Sequence, residues 1–395
     1  MTSLRHAALL AFWYLRAAPG RTTVLVLCTA VALFLPVFTA LAAERVESSL
    51  LSRALASPIL IGHQGNEFDL TMNALYFRGD VRDPIPFGTA AEVEAKGYGE
   101  AIPVYVTHTA GGAPVVGTTL DYLDYRGLSV TAGRPPAVLG EVIAGASAAR
   151  DFNLSPGDTV RSDLTNLYNI AGAYPILLKV TGVLAPNGTP DDSAFFADVK
   201  TTWVLDGTLH GHDAVTRDQS LNPNAEEGEN LEATAAIFMF QEITEANRGS
   251  FHLHGDTSGL PVSSVLVFPP TPRAHDQLLG DYALHDRLQA VRPVEVVRTI
   301  LGIVLRVRDG LSLYFAAIAA STTAFFILVL SLSLRLRSSE LQLMQRIGSS
   351  RPMVALMVGV EVLIVVALSV AVAAAATAGA LALLDLALAG AVGAP

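Results

Sequence analysis

Residues 311–361 read LSLYFAAIAASTTAFFILVLSLSLRLRSSELQLMQRIGSSRPMVALMVGVE: an uncharged apolar run, a short basic segment, and a second apolar run that carries one acid. Leu311 to Leu334 is free of charge and longer than the ~20 residues a helix needs to cross a bilayer core. It is therefore expected to span a membrane. Arg335, Arg337, Arg346 and Arg351 follow against the single acid Glu340, and a basic excess in a short loop marks the cytosolic side. From Met353 onward the second apolar run is long enough for another span, and Glu361 would lie about 12 Å into it at 1.5 Å per residue. A buried acid there is expected to pair with a polar group on another span.

The rest of the chain fits this frame. Hydrophobic residues make up 51% and charged residues 16% of the sequence, so membrane and water-soluble parts are both expected. Arg5, Arg16 and Arg21 precede an uncharged run, Thr22–Ala43. That run is longer than the apolar core of a signal peptide and is expected to be a retained first span, with Pro36 inside it. The acidic excess behind the net charge of −10 lies between Glu44 and Gly310. Basic flanks and an acidic middle place the N-terminus in the cytosol and the middle outside. An acidic exterior without a basic stripe excludes nucleic acid as a partner. The only cysteine, Cys28, lies in the first apolar run, so the exterior is expected to hold together through its core, without disulfides.

In the middle region, AIPVYVTHT (101–109) and VVGTT (115–119) flank a Gly/Pro turn and predict a strand pair. A strand is expected over Pro175–Ala185, a helix over Ala194–Leu205, strands over Ala233–Ile243 and Val262–Phe268, and a surface helix over Arg273–Leu288. Asp213–Asn230 reads as a polar loop. Glu44–Ala56 and the segment from Val294 to Gly310, which Pro293 opens, both carry apolar residues at helical spacing. They are expected to be two stalk helices that support the exterior.

The segment RLRSSELQLMQRIGSSRPMVALMVGVE resembles the cytoplasmic segment between the second and third spans of MacB/FtsX-type ABC transporter permeases. There an R-x-x-E-I-x-L-L-x-x-L-G-A-x-x run leads to a later Glu, and Glu340, Leu343, Met344, Ile347, Gly348, Arg351 and Glu361 match in register. The exterior also resembles the family's periplasmic core domain, through LTMNALYFRGD (70–80), PVVGTTLDYLDYRGLSVTAGRPP (114–136), GEVIAGASAARDFNLSPGDTV (140–160) and KVTGVLAPNGTPDDSAFF (179–196). The resemblance spans nearly the whole chain. It implies a permease subunit without enzymatic activity or cofactor, driven by a separate ABC ATPase. That ATPase would dock on Glu340, Leu343, Met344, Arg346, Ile347, Gly348 and Arg351. It further implies pairing with a second copy or a related permease, a possible periplasmic adaptor, and residence in a bacterial cytoplasmic membrane.

The residues themselves agree that nucleotide chemistry belongs elsewhere. No G-x-x-x-x-G-K-[ST] loop occurs, and the only lysines, Lys96, Lys179 and Lys200, fall in the exterior region. No G-x-S-x-G elbow occurs either. His210, His212, His252 and His254 flank the acidic loop. Alternate histidines on a strand share one face, which makes them the candidates for zinc or copper, although loop histidines beside acids are the simpler reading and no metal is expected.

The expected fold is thus an α+β membrane protein with three clear transmembrane helices, possibly four, and a large extracytoplasmic α+β domain on two stalk helices. Its segments are a cytoplasmic N-terminus (1–21), a first span (22–43), the exterior domain with its stalks (44–310), a second span (311–334), a cytoplasmic coupling segment (335–352), a third span (353–384) and a tail (385–395) in which a fourth span is doubtful. A membrane-anchored extracytoplasmic binding or sensor protein without an ATPase is the alternative function.

Overall fold

Leu177–Leu184, LLKVTGVL, buries Leu178, Val180 and Leu184 and exposes Lys179, the alternation of a strand covered mainly on one face. Such strands build the centre of the protein. The computed structural model describes residues 2–79, 83–164, 175–212, 240–253, 255–336 and 338–391. The chain divides into two units, one of Met1–Ser49 with Ile300–Ala387 and one formed mainly by Leu50–Thr299.

The chain begins with helices α1 (Thr2–Ala17) and α2 (Pro19–Leu55), then β1 (Ile59–His63), α3 (Glu67–Tyr76), β2 (Ile85–Pro86), α4 (Gly88–Ala95), β3 (Glu100–Ala110) and β4 (Ala113–Thr118). Next come α5 (Asp121–Tyr125), β5 (Val130–Gly133), β6 (Glu141–Ala144), α6 (Ala146–Asp151), β7 (Thr159–Arg161), β8 (Leu177–Leu184), β9 (Phe195–Asp198), α7 (Val199–Leu205) and β10 (Leu209–Gly211). The remainder holds β11 (Phe251–Leu253), β12 (Pro261–Val262), β13 (Ser264–Phe268), α8 (Pro272–Ala283), β14 (Leu288–Val291), α9 (Pro293–Leu336), α10 (Ser338–Arg346) and α11 (Arg351–Ala391).

In the second unit a mixed sheet runs in the order β14-β1-β13-β3-β4-β9-β6-β8-β5, with β7 added beside β8. The β4–β9 and β6–β8 pairs are parallel. Two cores cover it. Ile59, Ile61, Tyr105, Val265, Val267 and Leu278 form one, and Val115, Val142, Leu178, Val180 and Phe195 form the other. Helix α7 serves both: Val199 and Trp203 enter the first, Val204 and Leu205 the second. It sits close because β4 has Gly117 beneath it, where a Cβ would meet Thr202 Oγ1 at 2.3 Å.

The strand pair expected around residues 101–119 is β3 and β4, and the strand expected over 175–185 is β8. Ala194–Leu205 is not one helix. Phe195–Asp198 is a strand in parallel register with Val115–Thr118, and the helix starts only after Asp198, whose side chain accepts from Lys200 N. Similarly, the helix expected to reach Leu288 ends at Ala283, because Leu288 pairs with His63 in the sheet. The loop expected at Asp213–Asn230 and most of the strand expected at Ala233–Ile243 lie outside the described residues.

Among the described residues, two helices are long and apolar enough to cross a membrane, Pro19–Leu55 and Arg351–Ala387. Only 17% and 28% of their most apolar windows are buried, so Val24, Leu27, Val31, Leu363 and Leu383 face outward. A water-soluble core helix would bury them. The expectation of three clear spans and a possible fourth is corrected on both counts. The middle candidate, Leu311–Leu334, lies in α9, where the apolar helix counted among the described residues, Leu313–Val329, does not reach the length of a span. As for a fourth span, α11 is a single helix from Arg351 to Ala391, so no hairpin forms after Met353 within the described residues.

Leu15 of α1, Leu25 of α2 and Val365 of α11 form the small core of the first unit, joined by Phe326 and Val329 of α9. Polar groups inside it satisfy themselves locally. The hydroxyls of Ser369 and Thr377 donate to the carbonyls of Val365 and Ala373, four residues back, which is how apolar helices carry hydroxyls without leaving them dry.

Candidate functional site

The segment matched to ATPase docking is α10 and the turn after it. Its C-terminus ends on a glycine: Ile347 N–H makes the last helical bond to Leu343 O, and Ser349 N–H donates to Met344 O, the 6→1 bond of a Schellman cap, with Gly348 at φ 108° between Ile347 and Ser349. A side chain at that φ is strained, so glycine at 348 has a backbone reason. Ser350 O then accepts from Met353 and Val354 N–H and starts α11, with Arg351 at its first position and Pro352 at its second. The cap leaves apolar side chains in the open. Leu343 is 57% and Ile347 78% exposed, beside the exposed Arg346 and Arg351, while Met344 is half-buried. Glu340 lies on α10; its side chain is outside the described residues. This short helix can offer a partner two aliphatic anchors framed by arginines.

Glu361 is 5% exposed on α11 and accepts from Arg21 Nη2 of α2 at 3.2 Å. Arg21 also donates to Tyr14 Oη at 3.2 Å and lies over its ring, 4.9 Å from the centroid. The charge is thus met across three helices of one unit, as a carboxylate among apolar helices requires. Asp385 near the other end of α11 meets Arg45 of α2 at 2.5 Å.

In the second unit, β10 and β11 pair with His210 opposite His252, and His212 joins them. One ligand nitrogen from each of the three lies within 4.8 Å of the others. His254 is outside the described residues.

A second polar cluster was not foreseen. Arg53, in the last turn of α2, is 6% exposed. It donates from Nη1 and Nη2 to the Asp191 carboxylate at 2.7 and 2.9 Å, from Nη2 to Tyr122 Oη at 3.2 Å, and from Nε to Leu75 O. Tyr122 Oη donates to Asp191 at 2.9 Å, and Thr189 Oγ1 donates to it at 2.9 Å. Burial alone would raise the Asp191 pKa, but the Arg53 charge and its hydrogen bonds outweigh burial and hold it below the usual carboxylate range. Burial raises the Tyr122 phenol, helped by Asp191. Asp191 could be placed by its sequence setting, after Thr189-Pro190 at a turn; its pairing with an arginine 138 residues away left no local signal.

Neither a family model nor a curated protein matches this chain.

Proposed function

We propose that this chain is the membrane subunit of an ABC transport system of the MacB/FtsX type, without catalytic residues of its own. A separate ATPase binds α10 on the cytosolic side, and nucleotide-driven movement of the helices is passed to the sheet unit outside a bacterial cytoplasmic membrane. A second copy or a related permease completes the complex, with a periplasmic adaptor as a further partner. The observation that best supports this reading is the pair Leu343 and Ile347, exposed on a rigidly capped helix end beside Arg346 and Arg351. Exposed aliphatic side chains are apolar surface that a partner can bury, and arginine is enriched at protein interfaces.

Co-purification tests it. Arg346→Glu reverses a rim charge, and Gly348→Pro forbids the φ of 108°; both are expected to reduce recovery of an ATPase subunit with the native protein at least tenfold while membrane insertion is kept. Full recovery in both variants removes α10 from the interface.

The membrane-anchored binding protein is the second reading, and the span count favours it. If only Pro19–Leu55 and Arg351–Ala387 cross, everything between them, α10 included, lies on one side of the membrane. A cytosolic ATPase could not then reach α10 while the sheet unit is outside.

A further inference from the structure

We propose that His210, His212 and His252 are three ligands of a binding site for a zinc-type divalent metal ion. The ladder that carries them has two faces of opposite character. Leu209, Phe251 and Leu253 pack onto the cores of the sheet unit, and Gly211 belongs to that face. A Cβ at Gly211 would meet the Phe251 ring at 2.6 Å, so glycine lets the ring close over the strand. Alternation then sends His210 to the other face, with His252 directly across from it and His212 two residues on. The side of the ladder turned away from the core is therefore made of imidazoles.

Their separations suit one ion. Ring centroids are 5.0 Å apart for His210 and His252, 4.9 Å for His212 and His252, and 5.7 Å for His210 and His212. Ligand nitrogens lie within 4.8 Å of one another, whereas Zn–N bonds of 2.0–2.1 Å in a tetrahedron place them about 3.3 Å apart. Modest rotation of the half-buried imidazoles closes that difference. His252 is already oriented for ligation: its Nδ1 lies 2.8 Å from Ser250 O. A carbonyl can only accept, so Nδ1 carries the proton and the lone pair is on Nε2. This is the outer support that metal-bound histidines usually have.

Three neutral imidazoles without a thiolate fit Zn²⁺, Co²⁺, Ni²⁺ or Cu²⁺ and do not fit Mg²⁺ or Ca²⁺. The ladder also has a use for an ion. Its strands are three residues each, and a two-stranded ladder is marginal by itself. One metal bound from both strands would staple it.

The test uses the full-length, untagged chain, purified in detergent and stripped of metal, titrated with Zn²⁺ against a chromophoric chelator. The expected result is one Zn²⁺ per chain with a Kd below ~1 μM, weakened at least ~100-fold by each of His210→Ala, His212→Ala and His252→Ala. His275→Ala, which alters a histidine beside Asp276 on α8, is expected to change nothing. Absence of saturable binding, or equal affinity in the triple alanine variant, overturns the proposal. Co²⁺ on the wild type keeps the test independent of whether the variants fold. An intense visible spectrum that Zn²⁺ abolishes at one equivalent supports a four-coordinate nitrogen site, and a weak octahedral spectrum contradicts it.

Discussion

Arg53 shows how far a side chain can depart from its local pattern. By sequence it sits on the polar side of an amphipathic stalk; in the fold it is buried against Asp191, Tyr122 and Leu75 O. Removing one partner of such a pair strands the other charge, whereas replacing both by apolar groups costs little. Arg53→Met is therefore expected to destabilise the sheet unit by about 3–5 kcal/mol, and Arg53→Met with Asp191→Leu to recover most of that loss, as read by denaturant unfolding of the purified chain. The pH dependence has a definite sign. The folded Asp191 pKa lies below its unfolded value of about 3.9. Its contribution is complete above that value and is lost as pH falls through the folded value. The double variant should lose this part of its acid sensitivity below about pH 4. Glu361 was more legible: an acid within an apolar run requires a partner, and that much is visible in one dimension. The identity of Arg21, 340 residues away, is not.

Elements are legible where turn residues bound an apolar run and illegible where two elements share one apolar run. β3, β4 and β8 follow from apolar runs bounded by Gly/Pro turn residues. AFFADVKTTWVL looked like one helix because its apolar residues suit either period; Asp198, a helix cap, was the overlooked mark that divides strand from helix. Gly117 is the opposite case, a residue whose role appears only when α7 lies over β4. Gly117→Val would push a branched side chain into Thr202, where even a Cβ comes to 2.3 Å. Overpacking of this kind is expected to cost about 1–3 kcal/mol. Thermal unfolding should show the loss in Gly117→Val and its partial relief when Thr202→Ala is added. An unchanged melting temperature in Gly117→Val would mean that α7 yields without cost. The histidine ladder was half legible. Alternation placed His210 and His212 on one face, but the register that sets His252 opposite His210 depends on a partner strand 40 residues on.

For the whole molecule, the division into an apolar helical unit and an acidic sheet unit was readable from charge alone, since the basic residues flank the apolar runs and the acids collect between them. The number of crossings was not. The alanine-rich tail has room on paper for a hairpin, but it continues as one helix to Ala391. Sidedness is consequently the property on which the account depends. ATP hydrolysis can drive the sheet unit only if α10 and that unit face opposite compartments. Single cysteines at Ser349 and at the exposed Asp151, each in a Cys28→Ser background, report this through a membrane-impermeant thiol reagent applied to intact cells. The account predicts that Asp151→Cys is labelled from outside and that Ser349→Cys is labelled only after the membrane is opened. Labelling of Ser349→Cys in intact cells, at the rate of Asp151→Cys, would place α10 beside the sheet unit and contradict a cytosolic ATPase as its partner.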